Sequence, residues 1–402
     1  MIKRTLEIFI RKYSLEYPVI ALVGPRQSGK TTLVRHLFPD HKYLSLENLD
    51  LRHMAMDDPR GFLDDHGENL ILDEIQRVPS LFSYLQERVD QADAGPASYV
   101  LTGSQQFLLM EKITQSLAGR IITFNLYPFT INELFPAKPD TDIDSIFSIK
   151  PGYIEDGATI DIFRTIFTGM YPRIYDKKLD PGKWIENYIL TYVERDIRNL
   201  VNVENLKIFE KFIKLCASMS ATLVNYTTIS NAIGVSQPTV KKWLSLLETS
   251  GILFVLPPYY RNFKKRIVKT PKLYFTDTGL LCFLLSIRKP DELMNHPLFG
   301  NIFETFIISE FYKRLHHIGK KPPLYFWRDK TGNEIDLIVE NGLQLLPIEI
   351  KSTKTYHLSM KSNISSWLEL KGNITEKGIV IYRGDSVVGK NSPVTVTPWW
   401  FV

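Results

Sequence analysis

The stretch PVIALVGPRQSGKTTLVRHLF, residues 18–38, constrains the fold of this 402-residue chain more than any other. Within it GPRQSGKT, residues 24–31, has the spacing G-x-x-x-x-G-K-[ST], with an apolar run before it and a helical pattern behind it. A strand, glycine turn and helix in that order curl backbone N–H groups around phosphate oxygens, and the helix N-terminus adds favourable potential. The pattern predicts a phosphate loop made of Gly24, Pro25, Arg26, Gln27, Ser28 and Gly29, with Thr32 in the first turn of the helix. Lys30 is expected to reach the β- and γ-phosphates of ATP, and Thr31 to offer its hydroxyl to Mg2+.

Short apolar runs follow at YLSL, NLILDE and SYVLTGS, with helical or polar stretches between them. That alternation predicts a parallel α/β sheet. LILDEIQ would end a buried strand on Asp73 and Glu74. Asp73 is placed to hold Mg2+, and Glu74 to orient and deprotonate the attacking water. Thr102, Ser104 and Gln105, at the end of the next strand, are candidates to sense the γ-phosphate, although Ser104 has the alternative of capping a helix.

The order of phosphate loop, LDEIQ, LTGSQQF, SLAGR and LYPFTINEL resembles the prokaryotic AAA-type ATPases whose C-terminal half is a domain of unknown function. The likeness runs on through GMYPRIY and YVERDI towards the C-terminus. It implies an arginine that stabilises phosphoryl-transfer charge, in the same subunit or from a neighbour, for which Arg120 and Arg195 are the candidates. An arginine acting between subunits implies a homo-oligomer. Either arginine has the alternative of a structural ion pair.

Composition narrows the setting. The formal net charge of +5 is mild, so a nucleic-acid footprint has to be local. Two cysteines, Cys216 and Cys282, supply neither a disulfide framework nor a zinc site, which points to a reducing cytoplasm. The opening MIKRTLEIFIRKYSLEY lacks the sustained apolar core of a signal peptide, and no apolar run nears membrane-spanning length. A cytoplasmic protein with no membrane partner is expected.

TTISNAIGVSQPTVKKWLSLLETSGILFVLPPYY, residues 227–260, reads helix, glycine turn, helix, strand. Val240, Trp243, Leu244 and Leu247 repeat at helical spacing and form the buried stripe. Gln237, Thr239, Lys241 and Lys242 fall on the outer face, as a DNA recognition helix requires. The basic stretch that follows carries Arg261, Lys264, Lys265, Arg266 and Lys269, the composition of a wing lying over phosphates. A winged helix used for subunit packing is the alternative.

Near the C-terminus, GNEIDLIVENGLQ runs into LPIEIKST, residues 346–353. With Asn341 and Gly342 as a two-residue turn, Asp336 would face Pro347 and Glu334 would face Glu349, unless Pro347 brings a bulge. Glu334, Asp336, Glu349 and Lys351 would then share one face. With Glu304 on the preceding amphipathic helix, this order resembles the PD-(D/E)XK nuclease fold. In that chemistry Glu304, Asp336 and Glu349 would hold Mg2+ or Mn2+, and Lys351 would serve the bound water. The alternative is a domain that binds DNA without cutting it.

The expected architecture is therefore α/β. A P-loop parallel-sheet ATPase core (1–140) precedes a helical region (141–215) and a winged helix (216–288), and an α/β restriction-endonuclease-like domain (289–402) ends the chain. The expected function is ATP hydrolysis coupled to action on DNA. A nucleotide-dependent switch that binds a protein partner, with a silent nuclease-like domain, stands as the rival.

Overall fold

A computed structural model describes residues 2–91, 95–104, 116–135, 142–147, 159–193, 206–260, 270–370, 373 and 375–402. The chain divides into two compact units. The first comprises Met1–Phe129 with the short segments Thr249–Gly251 and His316–Lys320, and the second comprises Thr130–Glu248, Ile252–Leu315 and Lys321–Val402.

The first unit is built on five parallel strands: β1 (Val19–Val23), β2 (Lys42–Ser45), β3 (Leu70–Asp73), β4 (Tyr99–Gly103) and β5 (Ile121–Asn125). Their order is β2-β3-β4-β1-β5. The central strands are buried along their whole length because both faces are covered, so they read as unbroken apolar runs. Val19, Ala21 and Val23 pack with Leu70, Leu72 and Leu101 in one layer. Ile20 and Leu22 pack with Ile71, Val100 and with Leu33, Val34 and Leu37 of the helix Lys30–Leu37 in the other. Because β4 lies between β1 and β3, the C-terminal ends of those three strands open on one crevice, where ligands bind in open α/β sheets.

In the second unit the helices Tyr226–Ile233 and Gln237–Thr249 meet at Gly234, whose φ of +72° closes the first helix. Val240, Trp243, Leu244 and Leu247 are buried as the spacing predicts. Trp243 is core, packed edge-on against Phe209 and Phe212 of the helix Leu206–Ser218. Three antiparallel strands flank these helices in the order β6-β8-β7, with β6 (Thr222–Leu223) before them and β7 (Leu253–Leu256) and β8 (Lys272–Phe275) after them.

A mixed sheet ends the chain, ordered β13-β12-β11-β10-β9. Its strands are β9 (Leu324–Arg328), β10 (Glu334–Asn341), β11 (Gln344–Lys351), β12 (Gly378–Tyr382) and β13 (Val394–Pro398). The β10–β11 pairing corrects the expected register by two places. Ile338 faces Pro347 and Asn341 faces Gln344, so the turn is Gly342-Leu343 and Glu334 does not face Glu349. Gly342, at φ +62°, is the residue that takes the left-handed conformation of the turn, and Asn341 becomes the last rung of the ladder. A shift of two leaves the alternation of faces intact. Pro347 sits one residue before β11 takes up β12 at Ile348, so its missing N–H breaks no bond on that side. The irregularity lies instead between β10 and β9, at Ile335 to Ile338.

Candidate functional site

The phosphate loop leaves β1 through Gly24, at φ +145°, where a Cβ would lie 2.1 Å from the carbonyl oxygen of Leu126. Only glycine fits that approach. Gln27 and Gly29 also have positive φ, and Gly29 leads into the helix Lys30–Leu37. The ammonium of Lys30 donates to the carbonyls of Gly24 and Pro25, both at 2.9 Å, and so spans the loop from within. Burial holds its pKa below the usual lysine value, against the pull of Glu74 and Asp73. Ser28 is fully buried, and its hydroxyl has no hydrogen-bond partner among the described residues. A cradle closed by glycine, a buried ammonium and an orphaned hydroxyl fit a phosphate chain. Arg26 lies 3.9 Å from Glu47, which also pairs with Arg77 at 3.2 Å, while Thr32 faces solvent.

At the end of β3, Asp73 collects hydroxyls. Thr31 Oγ1 donates to Oδ2 at 3.2 Å, Tyr43 Oη to the same oxygen at 2.6 Å, and Thr102 Oγ1 to Oδ1. A hydroxyl and a carboxylate converging beside the loop are hard oxygen donors that suit Mg2+. Glu74 follows at φ +56°, a left-handed conformation that non-glycine residues adopt at functional turns. Its Oε2 accepts from Ser104 Oγ at 2.8 Å and from Gln76 Nε2. Thr102 and Ser104, expected as phosphate sensors, therefore each hold one member of the acidic pair in this structure.

The second cluster lies on β10 and β11. Asp336 Oδ2 accepts the N–H of Ile350 at 2.8 Å. Glu349, 2% exposed, accepts from Lys351 Nζ at 2.6 Å and from Asn363 Nδ2 at 3.0 Å, both on Oε1. Burial, and then the neighbouring Asp336, raise the pKa of Glu349. Glu304, on the helix Phe299–His317, accepts from Tyr274 Oη at 2.7 Å and from Lys272 Nζ at 3.2 Å, and Lys272 also pairs with Glu334. Glu304, Asp336 and Glu349 were expected to converge on one cation. Among the described residues no three His, Cys, Asp or Glu side chains form a group able to hold a metal ion. Lys272, a buried residue of β8, pairs instead with two carboxylates of the cluster, Glu304 and Glu334, while Glu349 Oε2 is buried with no hydrogen-bond partner among the described residues.

On the helix Gln237–Thr249, Gln237, Lys241 and Lys242 are exposed and Thr239 is half-buried, which matches the expected outer face. Gln237 Nε2 donates to Thr227 at 3.0 Å, Thr239 pairs with Ser236, and Lys241 lies 5.3 Å from the ring centre of Tyr226. Arg261, Lys264, Lys265, Arg266 and Lys269 lie outside the described residues, as do Gln105 and Arg195.

Comparison with known proteins fits this geometry. Residues 16–135 match the family model described as AAA domain. Residues 159–291 and 299–402 match two domains of unknown function, DUF8612 and DUF4143. The phosphate loop and the parallel sheet of the first unit thus fall within the stretch that is similar to AAA domains. An uncharacterized protein of Mycobacterium tuberculosis is 28% identical over 386 residues, covering 95% of this chain and 80% of its own length. Another, from Methanocaldococcus jannaschii, is 23% identical over 418 residues, covering 95% and 83%. Among solved structures, the Walker-type ATPase PABY2304 of Pyrococcus abyssi covers 71% of this chain and 96% of its own, at a TM-score of 0.43 and 14% identity.

Within the first unit Arg120 lies at the wrong end of the sheet to act on its own phosphate loop. Its carbonyl accepts from Val19, the first residue of β1, whereas the loop follows the last. Five residues of strand span about 16 Å. Its guanidinium pairs with Asp90 and with the carbonyl of Ala118. The same-subunit role expected for Arg120 is thus corrected. Tyr43 and Gln76 are site residues that sequence reasoning missed. Tyr43 lies on β2, and only the β2–β3 register, Tyr43 to Ile71 and Ser45 to Asp73, brings it near the acidic pair. Gln76 stands two places past Glu74, a spacing that could have marked it. Among the described residues, no helix is long and apolar enough to cross a membrane.

Proposed function

We propose that the chain hydrolyses ATP at the crevice of β1, β3 and β4 and couples nucleotide state to the binding of DNA. The juxtaposition of Lys30, Thr31, Asp73 and Glu74 carries this reading. Loop N–H groups and Lys30 would bind the phosphates, and Thr31 with Asp73 would hold Mg2+, which neutralises phosphate charge when bound. Glu74 would take the proton of the attacking water at its carboxylate, while Ser104 and Gln76 hold that carboxylate in place.

The DNA part of the reading is supported by the exposed Gln237, Lys241 and Lys242, in a module with the helix order of a winged helix. The division into residues 1–140, 141–215, 216–288 and 289–402 is part of the proposal, with the last region gripping DNA through a nuclease-like sheet. Arg120 and Arg195 are kept as candidates for a role towards a neighbouring subunit in a homo-oligomer. The test is Mg2+-dependent ATP hydrolysis by the full chain, with DNA binding measured across a salt series with and without nucleotide. A steep loss of affinity with salt supports phosphate contacts. Robust ATP turnover with no binding to linear, forked or four-way DNA would transfer the function to a protein partner. Absence of ATP turnover would remove the reading altogether.

A further inference from the structure

The carboxylate cluster of the second unit holds four acidic side chains, Glu304, Glu334, Asp336 and Glu349, and the cation at its centre belongs to the chain. We infer that Lys272 is the built-in counter-ion of this cluster and excludes divalent metal from it, so that the C-terminal sheet works without a metal ion. Lys272 is 4% exposed, and its ammonium lies 3.2 Å from Glu304 Oε1 and in contact with Glu334. The Phe326 ring, centred 5.6 Å away, walls one side.

A protonated ammonium offers donors and no lone pair, so it cannot share a coordination shell with a metal. Mg2+ requires near-octahedral oxygen ligands at about 2.0–2.1 Å. Here the same oxygen of Glu304 already accepts from Lys272 and from Tyr274, and Asp336 Oδ2 is turned to the backbone of Ile350. A dication drawn to the unpartnered Glu349 Oε2 would therefore meet the fixed positive charge of Lys272 and, on Glu304, Asp336 and Glu349, one oxygen each already engaged.

The sequence hid this residue because Lys272 lies in β8, ahead of every residue of the nuclease-like pattern, among basic residues that read as a wing. The inference concerns the second unit alone, so the fate of the ATPase reading does not decide it. The experiment is a Mn2+ titration of the full chain, followed by the paramagnetic signal of free Mn2+. An Asp73→Asn background without nucleotide removes the ATPase metal site. With Lys272 present, no stoichiometric Mn2+ site is expected. Lys272→Met should tighten Mn2+ binding by about 100-fold, the conservative end of removing a unit charge about 4 Å away. Stoichiometric Mn2+ binding with Lys272 intact, abolished by a further Asp336→Asn change, would overturn the inference. So would a folded Lys272→Met protein that gains no Mn2+ affinity. Should Lys272→Met fail to fold, the titration with Lys272 intact, compared with Asp336→Asn, decides the matter by itself.

Discussion

The phosphate loop and the carboxylate face of β10 and β11 are both polar clusters at buried strand ends, yet they are satisfied in opposite ways. In the loop, backbone geometry does the arranging: Gly24 makes the close approach, Lys30 spans two carbonyls, and Ser28 keeps a buried hydroxyl without a partner among the described residues. On the carboxylate face, side chains engage one another, and Lys272, Tyr274, Asn363 and Lys351 take up oxygens that a metal would need. A cluster that keeps unmet valence is arranged for a ligand. On the carboxylate face lysines of the chain stand against the acids, and the unmet atom there, among the described residues, is a carboxylate oxygen, Glu349 Oε2.

The largest expected effect lies on the first side of the comparison. Glu74→Gln should lower kcat for ATP by about 10²–10⁴-fold, because an amide cannot act as a base. ATP affinity should persist in that variant, whereas Lys30→Ala should lose it, as steady-state turnover and a fluorescent-nucleotide titration would show. Equal loss of affinity in both variants would erase the division of roles. On the second side, Glu304→Gln weakens one arm of a buried ion-pair network and should destabilise the second unit by about 3 kcal/mol, measured by urea denaturation. A change near zero would mean that Lys272 is answered by Glu334 alone.

Smaller effects sharpen the contrast. Tyr43→Phe removes one hydroxyl from Asp73, worth about 1 kcal/mol or some fivefold in the Mg2+ dependence of ATP hydrolysis. An unaltered Mg2+ titration would show the phenol to be a bystander. Least of all, neutralising Lys241 and Lys242 should reduce the salt slope of DNA binding by roughly one unit each. An unchanged slope would mean that this face of the helix meets protein instead.

The ease of reading the two regions followed the same physics. GPRQSGKT is a backbone motif, so its eight consecutive residues carry nearly all the information about its shape, and the structure places it as expected. The buried stripe from Val240 to Leu247 was equally open, because helical periodicity is local. The hairpin register was not. Asn341-Gly342 and Gly342-Leu343 both contain the glycine a tight turn wants, and the choice rested on how β11 meets β12. Lys272 was out of reach for a further reason: its partners lie 32 and 62 positions later in the chain, and no local pattern links a lysine of β8 to acids on a helix and another sheet. For Arg120 the sequence left a structural ion pair open beside a role towards phosphate, and only the pairing of its backbone with Val19 shows which end of the sheet it occupies.

The position of β1 in its sheet also has a bearing on synthesis. Both of its hydrogen-bonded neighbours, β4 and β5, come later in the chain, the nearer beginning at Tyr99. A nascent chain carrying the complete phosphate-loop motif still has no strand beside it until about 70 further residues have been made. At about 5–20 residues per second, that interval lasts several seconds. During it the apolar run 19–23 is without its sheet partners, and the most ligand-ready segment of the finished protein is, on the ribosome, a stretch for holding chaperones to cover.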